Sequence, residues 1–340
     1  MKKTLVAVAA MAAVTGAMAN ATIYGVIEQT YTSSSQSTMG VMNSKSTSIG
    51  EYQMGSSLIG FKGEEDIDGL KASFLYEMGI NAQTSIAAPL NRQAYVGLSG
   101  GFGALRIGKQ YSSSFNNLVS ADPGGATSAP GALYLAVNVS NNGSESPLRQ
   151  DKGIQYDLPT LVGGLKVTLT KVVAGHDTAD GGSKVGDSQG LAISYASGPL
   201  NVGLTSDTTK SQNIMLGANA VVTAKDGTST KQNTLAAGYD LGLAKVTYSD
   251  AKVMNNGKGI KASMFALSAP VGKASLFVSS STGKLVQTTE TKLKGMQYGV
   301  NYLMSKRTVA YYHAGNTTIT NSSNSQTKIK GYGLGIHHSF

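Results

Sequence analysis

The side chains that most often perform catalysis or bind metals are sparse in this 340-residue chain, and they are not grouped. The chain has no cysteine, which excludes a cysteine nucleophile and a thiolate metal site. No G-x-S-x-G motif occurs, and no serine is paired with a histidine in a pattern typical of hydrolases. The histidines lack metal-ligand spacing with other residues: His176, His313, His337 and His338. We therefore expect no enzyme activity, no cofactor and no metal.

Two further patterns could bind phosphates, but each has a simpler explanation. Gly100-Gly101-Phe102-Gly103 lies between two alternating segments and has no helix after it, which predicts a tight turn and not a phosphate-binding loop. The formal net charge is +9, yet the lysines are scattered along the sequence without an aromatic cluster for stacking bases. We therefore expect no nucleic-acid partner.

The composition fits neither an ordinary soluble domain nor a bundle of membrane helices. Charged residues make up 14% of the chain, against roughly 25% in soluble domains, and there are 42 glycines. Apolar residues make up 41%, but no run of about 20 apolar residues exists in the sequence. The elements that position the few charged residues are therefore not transmembrane helices.

Residues 1–19 form a predicted export signal. Lys2 and Lys3 give a basic start, an apolar segment extends over 5–14, and Ala17-Met18-Ala19 is a small-x-small cleavage motif. The apolar segment is too short to span a bilayer. We expect cleavage between Ala19 and Asn20, which leaves residues 20–340 as a single mature domain.

Alternation with a period of two runs through the remaining chain and predicts β-strands with one apolar and one polar face. In the segment 70–78, for example, the apolar residues share one parity: Leu70, Ala72, Phe74, Tyr76 and Met78. Short turns alternate with longer polar stretches such as 33–48 and 175–187, which we interpret as loops. At about 20 residues per strand and connection, the pattern predicts sixteen strands of roughly 10 residues, the length of a tilted transmembrane strand.

Two all-β architectures accommodate these strands: a soluble sandwich or solenoid with an apolar core, and a membrane barrel with an apolar outside. Small and polar residues dominate one face of the strands and supply too little bulk to fill a core. Alternating short and long connections are typical of a barrel with periplasmic turns and external loops. Closure also removes the sheet edges that lipid does not tolerate. We therefore predict that residues 20–340 form one 16-stranded antiparallel transmembrane β-barrel domain.

Several segments resemble the general porins of Gram-negative bacteria, specifically the neisserial and beta-proteobacterial type. The segment 92–103 is the most specific match. The matching segments are spread over the predicted mature chain: 22–25, 57–72, 92–103, 105–110, 305–308 and 335–340. The resemblance implies an outer-membrane homotrimer that passes small hydrophilic solutes and ions. It also implies contacts with outer-membrane lipid, lipopolysaccharide and the barrel assembly machinery. The chain departs from the family at Leu58 and Lys109, where arginine is frequent.

Strand parity predicts which charged side chains enter the lumen. With Ile59 and Ile107 facing lipid, the opposite parity turns Lys62 and Arg106 inward. The same reasoning assigns further residues to the pore lining: Arg149, Asp151 and Lys166. Arg92 shares the parity of Val96, so we expect it at the rim or at an interface.

The segment 111–148 is the longest connection and follows the fifth predicted strand. The resemblance implies that this third external loop folds into the lumen and narrows it. Asp122 and Glu145 are its only acids, and opposite basic wall residues they would create a transverse field that sorts ions by sign. With its inward lysines and arginines, the basic chain is expected to show a modest anion preference.

The terminal Phe340 resembles the signal that the barrel assembly machinery reads, although a simple lipid-facing residue would look the same. Four functions remain open on these grounds. The first is a passive diffusion pore, and the second is a channel selective for particular anions or carboxylates. An outer-membrane barrel enzyme and an adhesin are the others, and conductance in planar bilayers separates the channels from them.

Overall fold

The computed structural model describes residues 21–51, 54–80, 90–125, 139–141, 149–160, 162–173, 187–210, 214–216, 220–222, 228–286 and 289–340. The predicted cleavage site at Ala19 and Asn20 lies outside these residues. One helix is present among them, α1 (Ser113–Ala121). The strands up to residue 172 are β1 (Thr22–Thr38), β2 (Val41–Gly50), β3 (Leu58–Ile67), β4 (Leu70–Gly79), β5 (Leu90–Gly100), β6 (Gly103–Tyr111), β7 (Val139–Asn141), β8 (Arg149–Asp157) and β9 (Leu165–Val172). The later strands are β10 (Ser188–Ser197), β11 (Leu200–Lys210), β12 (Ile214–Leu216), β13 (Ala220–Val222), β14 (Ser229–Asp240), β15 (Lys245–Asn255), β16 (Lys258–Val271), β17 (Ala274–Val286), β18 (Glu290–Leu303), β19 (Thr308–Thr320) and β20 (Gln326–Ser339).

The long strands form one closed antiparallel barrel, because β20 pairs with β1 over the register from Val26–Ser339 to Thr38–Thr327. On its other side β1 pairs with β2 through Thr30–Thr38 and with β3 through Thr22–Val26. The strands β2 and β3 therefore act in tandem as one interrupted wall strand. Counted in this way the wall has sixteen strands, which confirms the predicted architecture. The short strands β7, β12 and β13 make a separate three-stranded sheet from two loop segments.

Connections are tight at the end of the barrel where the chain terminates. Asp68 and Gly69, for instance, join β3 to β4 with φ values of 45° and 86°, the left-handed conformation of a type I′ hairpin turn. At the opposite end the prediction of a loop at 33–48 is wrong. This segment is a hairpin in which β1 and β2 pair up to a turn at Met39 and Gly40. Its serines and threonines are polar on both faces, so they give no apolar alternation, while the backbone ladder holds them in the sheet.

The two faces of the wall differ as the alternation predicts. Outward side chains are large, apolar and exposed, such as Val96, Phe265 and Leu334. Inward side chains are small or polar, and many are buried, such as Thr205, Thr234 and Ser249. A small apolar cluster lies on the inner wall beneath the helix, where Leu118 of α1 packs against it: Ala251, Val253, Ile260, Ala262 and Met264. Within the described ranges, no helix is long and apolar enough to cross a bilayer.

Candidate channel lining

The helix α1 is the part of the third loop that the structure places inside the barrel. Ser112 caps its N-terminus, since the Ser112 hydroxyl accepts a hydrogen bond from the Phe115 backbone nitrogen at 3.1 Å. The helix packs against β10, β11, β14 and β15, with Leu118 against the apolar cluster on β15 and β16. Because the helix leaves the wall at β6 and reaches these later strands, it narrows the lumen as the resemblance implied.

Polar side chains fix α1 to the inner wall. Ser114 donates a hydrogen bond to the carboxylate of Asp207 and lies 2.8 Å from the hydroxyl of Thr205. The amide of Asn117 donates to the Gly203 carbonyl at 3.1 Å and to the Thr234 hydroxyl at 2.8 Å. At the end of the helix, the hydroxyl of Thr247 on β15 donates to the Ala121 carbonyl at 2.6 Å. The helix is thus held at several points along its length by side chains that the strand pattern turns inward.

The helix α1 also borders a cavity of about 300 Å³ against the wall formed by β5–β11. The helix contributes Ser113, Asn116, Asn117 and Ser120 to its lining. Wall residues that line the cavity include Gln93, Tyr95, Arg106, Gln110, Tyr111, Gln155, Lys166 and Thr168. Two of the predicted pore-lining cations, Arg106 and Lys166, therefore share one water-accessible space with the inserted helix.

Two arginines converge on Tyr111, where the wall passes into the third loop. The Arg92 guanidinium donates to the Tyr111 hydroxyl at 2.6 Å, and Arg149 donates to the same oxygen at 3.0 Å. The Arg149 guanidinium also lies over the Tyr111 ring, 4.7 Å from its centroid. That ring in turn stacks on Phe115 of α1 with the centroids 4.9 Å apart. A carboxylate also belongs to this group: Glu77 lies 4.0 Å from the Arg92 Nε.

The position of Arg92 corrects the expectation that it lies at the rim or at an interface. The pairing of β4 with β5 shifts register so that Glu77 pairs with Gln93 and Met78 with Asn91, which leaves Arg92 without a partner in the ladder. A β-bulge of this kind redirects the side chains that follow it. Parity counted from Val96 fails at this bulge, and a sequence contains no direct signal for it.

A second basic group lies nearer the short-turn end of the barrel. Arg106 and Lys166 both contact the carboxylate of Asp157, at 3.0 Å and 3.1 Å. The Thr168 hydroxyl donates to the other oxygen of the same carboxylate at 2.5 Å. One acid therefore neutralises only part of the charge of two cations. Lys166 remains more than half exposed, so its ammonium faces water.

The other predicted lining residues lie apart from these two groups. On β3, Lys62 shares its parity with Leu58 and Gly60. The Lys62 Nζ lies over the Tyr24 ring, 5.2 Å from the ring centroid. Asp151 forms an ion pair with Lys109 at 2.8 Å, beside a bulge where Lys152 has a φ of 51°.

Asp122 ends α1, and one of its carboxylate oxygens accepts from the Gly124 nitrogen at 2.9 Å. Gly124 lies against Gln297 of β18, which is across the barrel from β6 and β8. Glu145, the second predicted acid of the loop, lies outside the described residues.

Glu28 is a fully buried carboxylate at the gap between β2 and β3. Its oxygens accept hydrogen bonds from the Tyr311 hydroxyl at 2.7 Å and from the Met54 nitrogen at 3.0 Å, and they lie 3.4 Å from the His337 ring. Parity predicted that Glu28 faces inward, but gave no sign that it bridges the interrupted strand to β19 and β20.

The C-terminal residue takes part in closure. The Phe340 nitrogen donates to the Gly25 carbonyl at 3.0 Å, and the Gly25 nitrogen donates to the Phe340 carbonyl at 3.2 Å. The Phe340 ring packs over Gly25, where a Cβ would collide with it. Phe340 is therefore the last rung of the ladder that joins the two ends of the sheet.

A closed barrel with an apolar outer surface, a polar interior and an inserted loop is the structure of a membrane channel. The chain belongs to the Gram-negative porin family, whose family model matches residues 5–322. It is therefore an integral β-barrel protein of the Gram-negative outer membrane, where porins form channels.

Related proteins agree with this assignment over most of the chain. Outer membrane porin protein 32 of Delftia acidovorans is 27% identical over 92% of this chain and 88% of its own length. Major outer membrane protein P.IB of Neisseria meningitidis serogroup A is 34% identical over 52% of this chain and 53% of its own. Among solved structures, an anion-selective porin from Comamonas acidovorans matches 95% of this chain and 100% of its own, with a TM-score of 0.78 and 22% identity. OmpT of Vibrio cholerae shares the fold with a TM-score of 0.68 and 17% identity, over 94% of this chain and 97% of its own.

Proposed function

We propose that this porin is a passive diffusion channel with a weak preference for anions, set by the basic groups on the wall of β5–β9. The observation that carries the proposal is the convergence of Arg92 and Arg149 on Tyr111, beside the inserted helix. Arg106 and Lys166 bring this basic group to four cations, and the acids that contact them among the described residues are Glu77 and Asp157. An excess of positive charge beside a narrow, water-filled passage favours the entry of anions.

The geometry also favours a field directed across the lumen. Asp122 lies at the end of α1 on the side of β15 and β18, while the four cations lie on the strands opposite. An ion that passes between the helix and the wall has the four cations on one side and the Asp122 carboxylate on the other. The anion preference of the Comamonas porin, whose fold this chain shares, is consistent with the proposal.

Reversal potentials in planar bilayers with a salt gradient test the sign of the preference. We expect a chloride-to-potassium permeability ratio above one at low salt. The ratio should move toward one as salt rises, because ions screen charges that face water. A ratio clearly below one would overturn the proposal.

A second candidate is a channel that binds a particular anion or carboxylate. It is favoured by the paired guanidiniums of Arg92 and Arg149, since arginine binds planar carboxylates with two parallel hydrogen bonds. In that case, millimolar carboxylates should reduce the chloride current with a saturable dose dependence. A strictly linear dependence of the current on total ion concentration would favour the simple diffusion pore.

We further propose the cellular partners that the family resemblance implies: a homotrimer in the outer membrane, lipid and lipopolysaccharide around it, and the barrel assembly machinery during insertion. Chemical cross-linking in intact cells, followed by electrophoresis without boiling, tests the trimer. Insertion of channels in groups of three conductance steps would support it independently. A single molecular species of monomer size in both experiments would contradict it.

A further inference from the structure

Lysines that are scattered in the sequence form a row on the outer surface of the barrel. Lys252 on β15 pairs directly with Lys261 on β16, Lys261 pairs with Lys284 on β17, and Lys284 pairs with Lys292 on β18. We call these four residues the lysine row. Adjacent strands are about 4.8 Å apart, so the row places four ammonium groups along roughly 15 Å of the surface.

Strand parity and burial show that the lysine row faces away from the lumen. Lys261 shares the parity of Phe265, which is 55% exposed. The two neighbours of Lys261 in the chain, Ile260 and Ala262, point inward and belong to the cluster beneath α1. Lys284 and Lys292 are likewise exposed, while their neighbours Leu285 and Leu293 pack inward. These lysines therefore cannot contribute to the lining of the channel.

Among the described residues of this surface, lysines outnumber carboxylates. Lys294 lies two residues after Lys292 on β18, on the same outward face and toward the short-turn end. The carboxylates described on this surface are Asp250 and Glu290. Glu290 contacts Lys284 at 2.7 Å and Lys292 at 3.9 Å. Five lysines thus stand beside two acids, although like charges directly opposite on neighbouring strands are destabilising. A depression of about 340 Å³ opens between them, lined by Asp250, Lys261, Ser263, Thr282, Lys284 and Lys294 among others.

The height of the row on the barrel indicates what could fill this depression. Four residues further along the strands, toward the short-turn end, the outward face carries Tyr248 and Phe265, both exposed and suited to the lipid boundary. The turn at Asn256 and Gly257 lies just beyond the row at the loop end. The row is therefore at the external edge of the apolar band, the level of the phosphates of the outer leaflet.

We propose that the lysine row binds the phosphate groups of lipopolysaccharide in the outer leaflet. Lysine ammonium groups bind phosphate as point charges, and their aliphatic stems can lie along the apolar surface below. The negative lipid would also relieve the repulsion between the paired lysines. The proposal rests on the outer-membrane location of the porin and is independent of its ion preference.

The test uses the folded, detergent-solubilised protein and fluorescently labelled lipopolysaccharide. The triple variant Lys261→Gln, Lys284→Gln and Lys292→Gln should bind at least about tenfold more weakly than the unsubstituted protein, since each lysine near an anionic lipid surface contributes to binding. A matched variant removes three exposed lysines at the short-turn end, Lys71→Gln, Lys273→Gln and Lys306→Gln, and should bind normally. Replacing the three row lysines by arginine should retain binding.

Two further arms identify the ligand chemistry. Lipopolysaccharide from which the phosphates have been removed should bind the unsubstituted protein as weakly as the intact lipid binds the triple glutamine variant. Inorganic phosphate at millimolar concentration should not displace the intact lipid. Equal binding of the dephosphorylated lipid, full displacement by free phosphate, or equal losses in the two triple variants would each overturn the proposal. Single-channel conductance should be unchanged in the row variant, which separates this test from the one on ion preference.

Discussion

Tyr111 is the residue through which the third loop is connected to the basic wall. Its hydroxyl accepts hydrogen bonds from Arg92 and Arg149, and its ring lies between the Arg149 guanidinium and Phe115 of α1. A phenolic oxygen has two lone pairs, so it can satisfy both guanidiniums at once. Stacking fixes the plane of Arg149, which a lysine at this position would not reproduce. The two charges are thereby held at the level of the inserted helix.

The double variant Arg92→Gln, Arg149→Gln should reduce the anion preference of the channel. Removing a charge about 8 Å from the ion path changes the energy of a monovalent ion by roughly 0.5 kcal/mol in water. That difference corresponds to about a twofold change in rate for each arginine. The measurement is the reversal potential in a tenfold gradient of potassium chloride.

The double variant Lys306→Gln, Arg307→Gln is the matched control for this prediction, because both residues are exposed on the short turn between β18 and β19 and lie outside the cavity beside α1. It removes the same charge from the chain and should leave the permeability ratio nearly unchanged. If the control shifts the ratio as much as the Arg92→Gln, Arg149→Gln variant does, the selectivity arises from the overall charge and not from the arginines at Tyr111.

Glu28→Ala should destabilise the barrel, because Glu28 joins the interrupted second wall strand to β19 and β20. The substitution leaves the Tyr311 hydroxyl and the Met54 nitrogen without their carboxylate acceptor. A buried donor that loses its partner costs about 1–3 kcal/mol. The temperature at which the folded form disappears in electrophoresis should fall. The surface substitution Glu64→Ala, which removes only an exposed ion pair with Lys71, should leave it unchanged.

At the level of elements, α1 is held against the wall by polar contacts along one side. Ser114 and Asn117 bond to strands β11 and β14, while Asn116 is exposed on the lumen side of the helix. Loop segments without such contacts open locally at low free-energy cost. The position of the loop, and with it the width of the passage, therefore depends on a few hydrogen bonds.

The double variant Ser114→Ala, Asn117→Ala should loosen the inserted helix. Each hydrogen bond contributes about 0.5–1.5 kcal/mol, so the loss of several is comparable with the free energy that fixes a short helix. We expect a higher mean conductance and more open-channel noise in single-channel records. Asn116→Ala removes an amide of the same size from the lumen side and should change neither the noise nor the mean strongly. Equal effects of the two variants would indicate that the amide volume matters and not the attachment.

The regular elements follow from the sequence because burial between lipid and water imposes a period of two on every membrane strand. The parity rule places Arg106 and Lys166 in the cavity, and it fails at Arg92 because a bulge inserts one residue into β5. It also missed the hairpin of β1 and β2 beyond residue 33, where both faces are polar and periodicity vanishes. Contacts such as those of Glu28 join residues about 280 or 310 positions apart in the chain, and only closure of the sheet reveals them.

For the whole molecule, the barrel separates positive charge into two surfaces with different surroundings. The inner group at β5–β9 faces water, where a mobile ion meets four fixed cations. The lysine row on β15–β18 faces outward at the edge of the apolar band. The barrel wall is a single sheet, and the two surfaces lie on different arcs of it. Substitutions in one group should therefore be nearly additive with substitutions in the other.

Closure of the barrel depends on Phe340 in two ways that substitutions can separate. The main chain of Phe340 makes two hydrogen bonds with Gly25, and its ring packs over that glycine while remaining 46% exposed. Phe340→Ala keeps the main-chain pair and removes the ring, whereas deletion of Phe340 removes both. If the ring serves as an assembly signal, Phe340→Ala should lower the amount of folded porin in the outer membrane severalfold.

The same variant refolded into detergent micelles should reach the yield and conductance of the unsubstituted protein, because the ladder that closes the sheet is intact. Phe340→Tyr retains an aromatic terminus and should assemble normally in cells, which makes it the matched control. The deletion should also lose refolding yield, since β1 and β20 then end one rung short. Poor refolding of Phe340→Ala in micelles would show instead that the ring acts through packing on Gly25, and that the defect in cells needs no recognition by the assembly machinery.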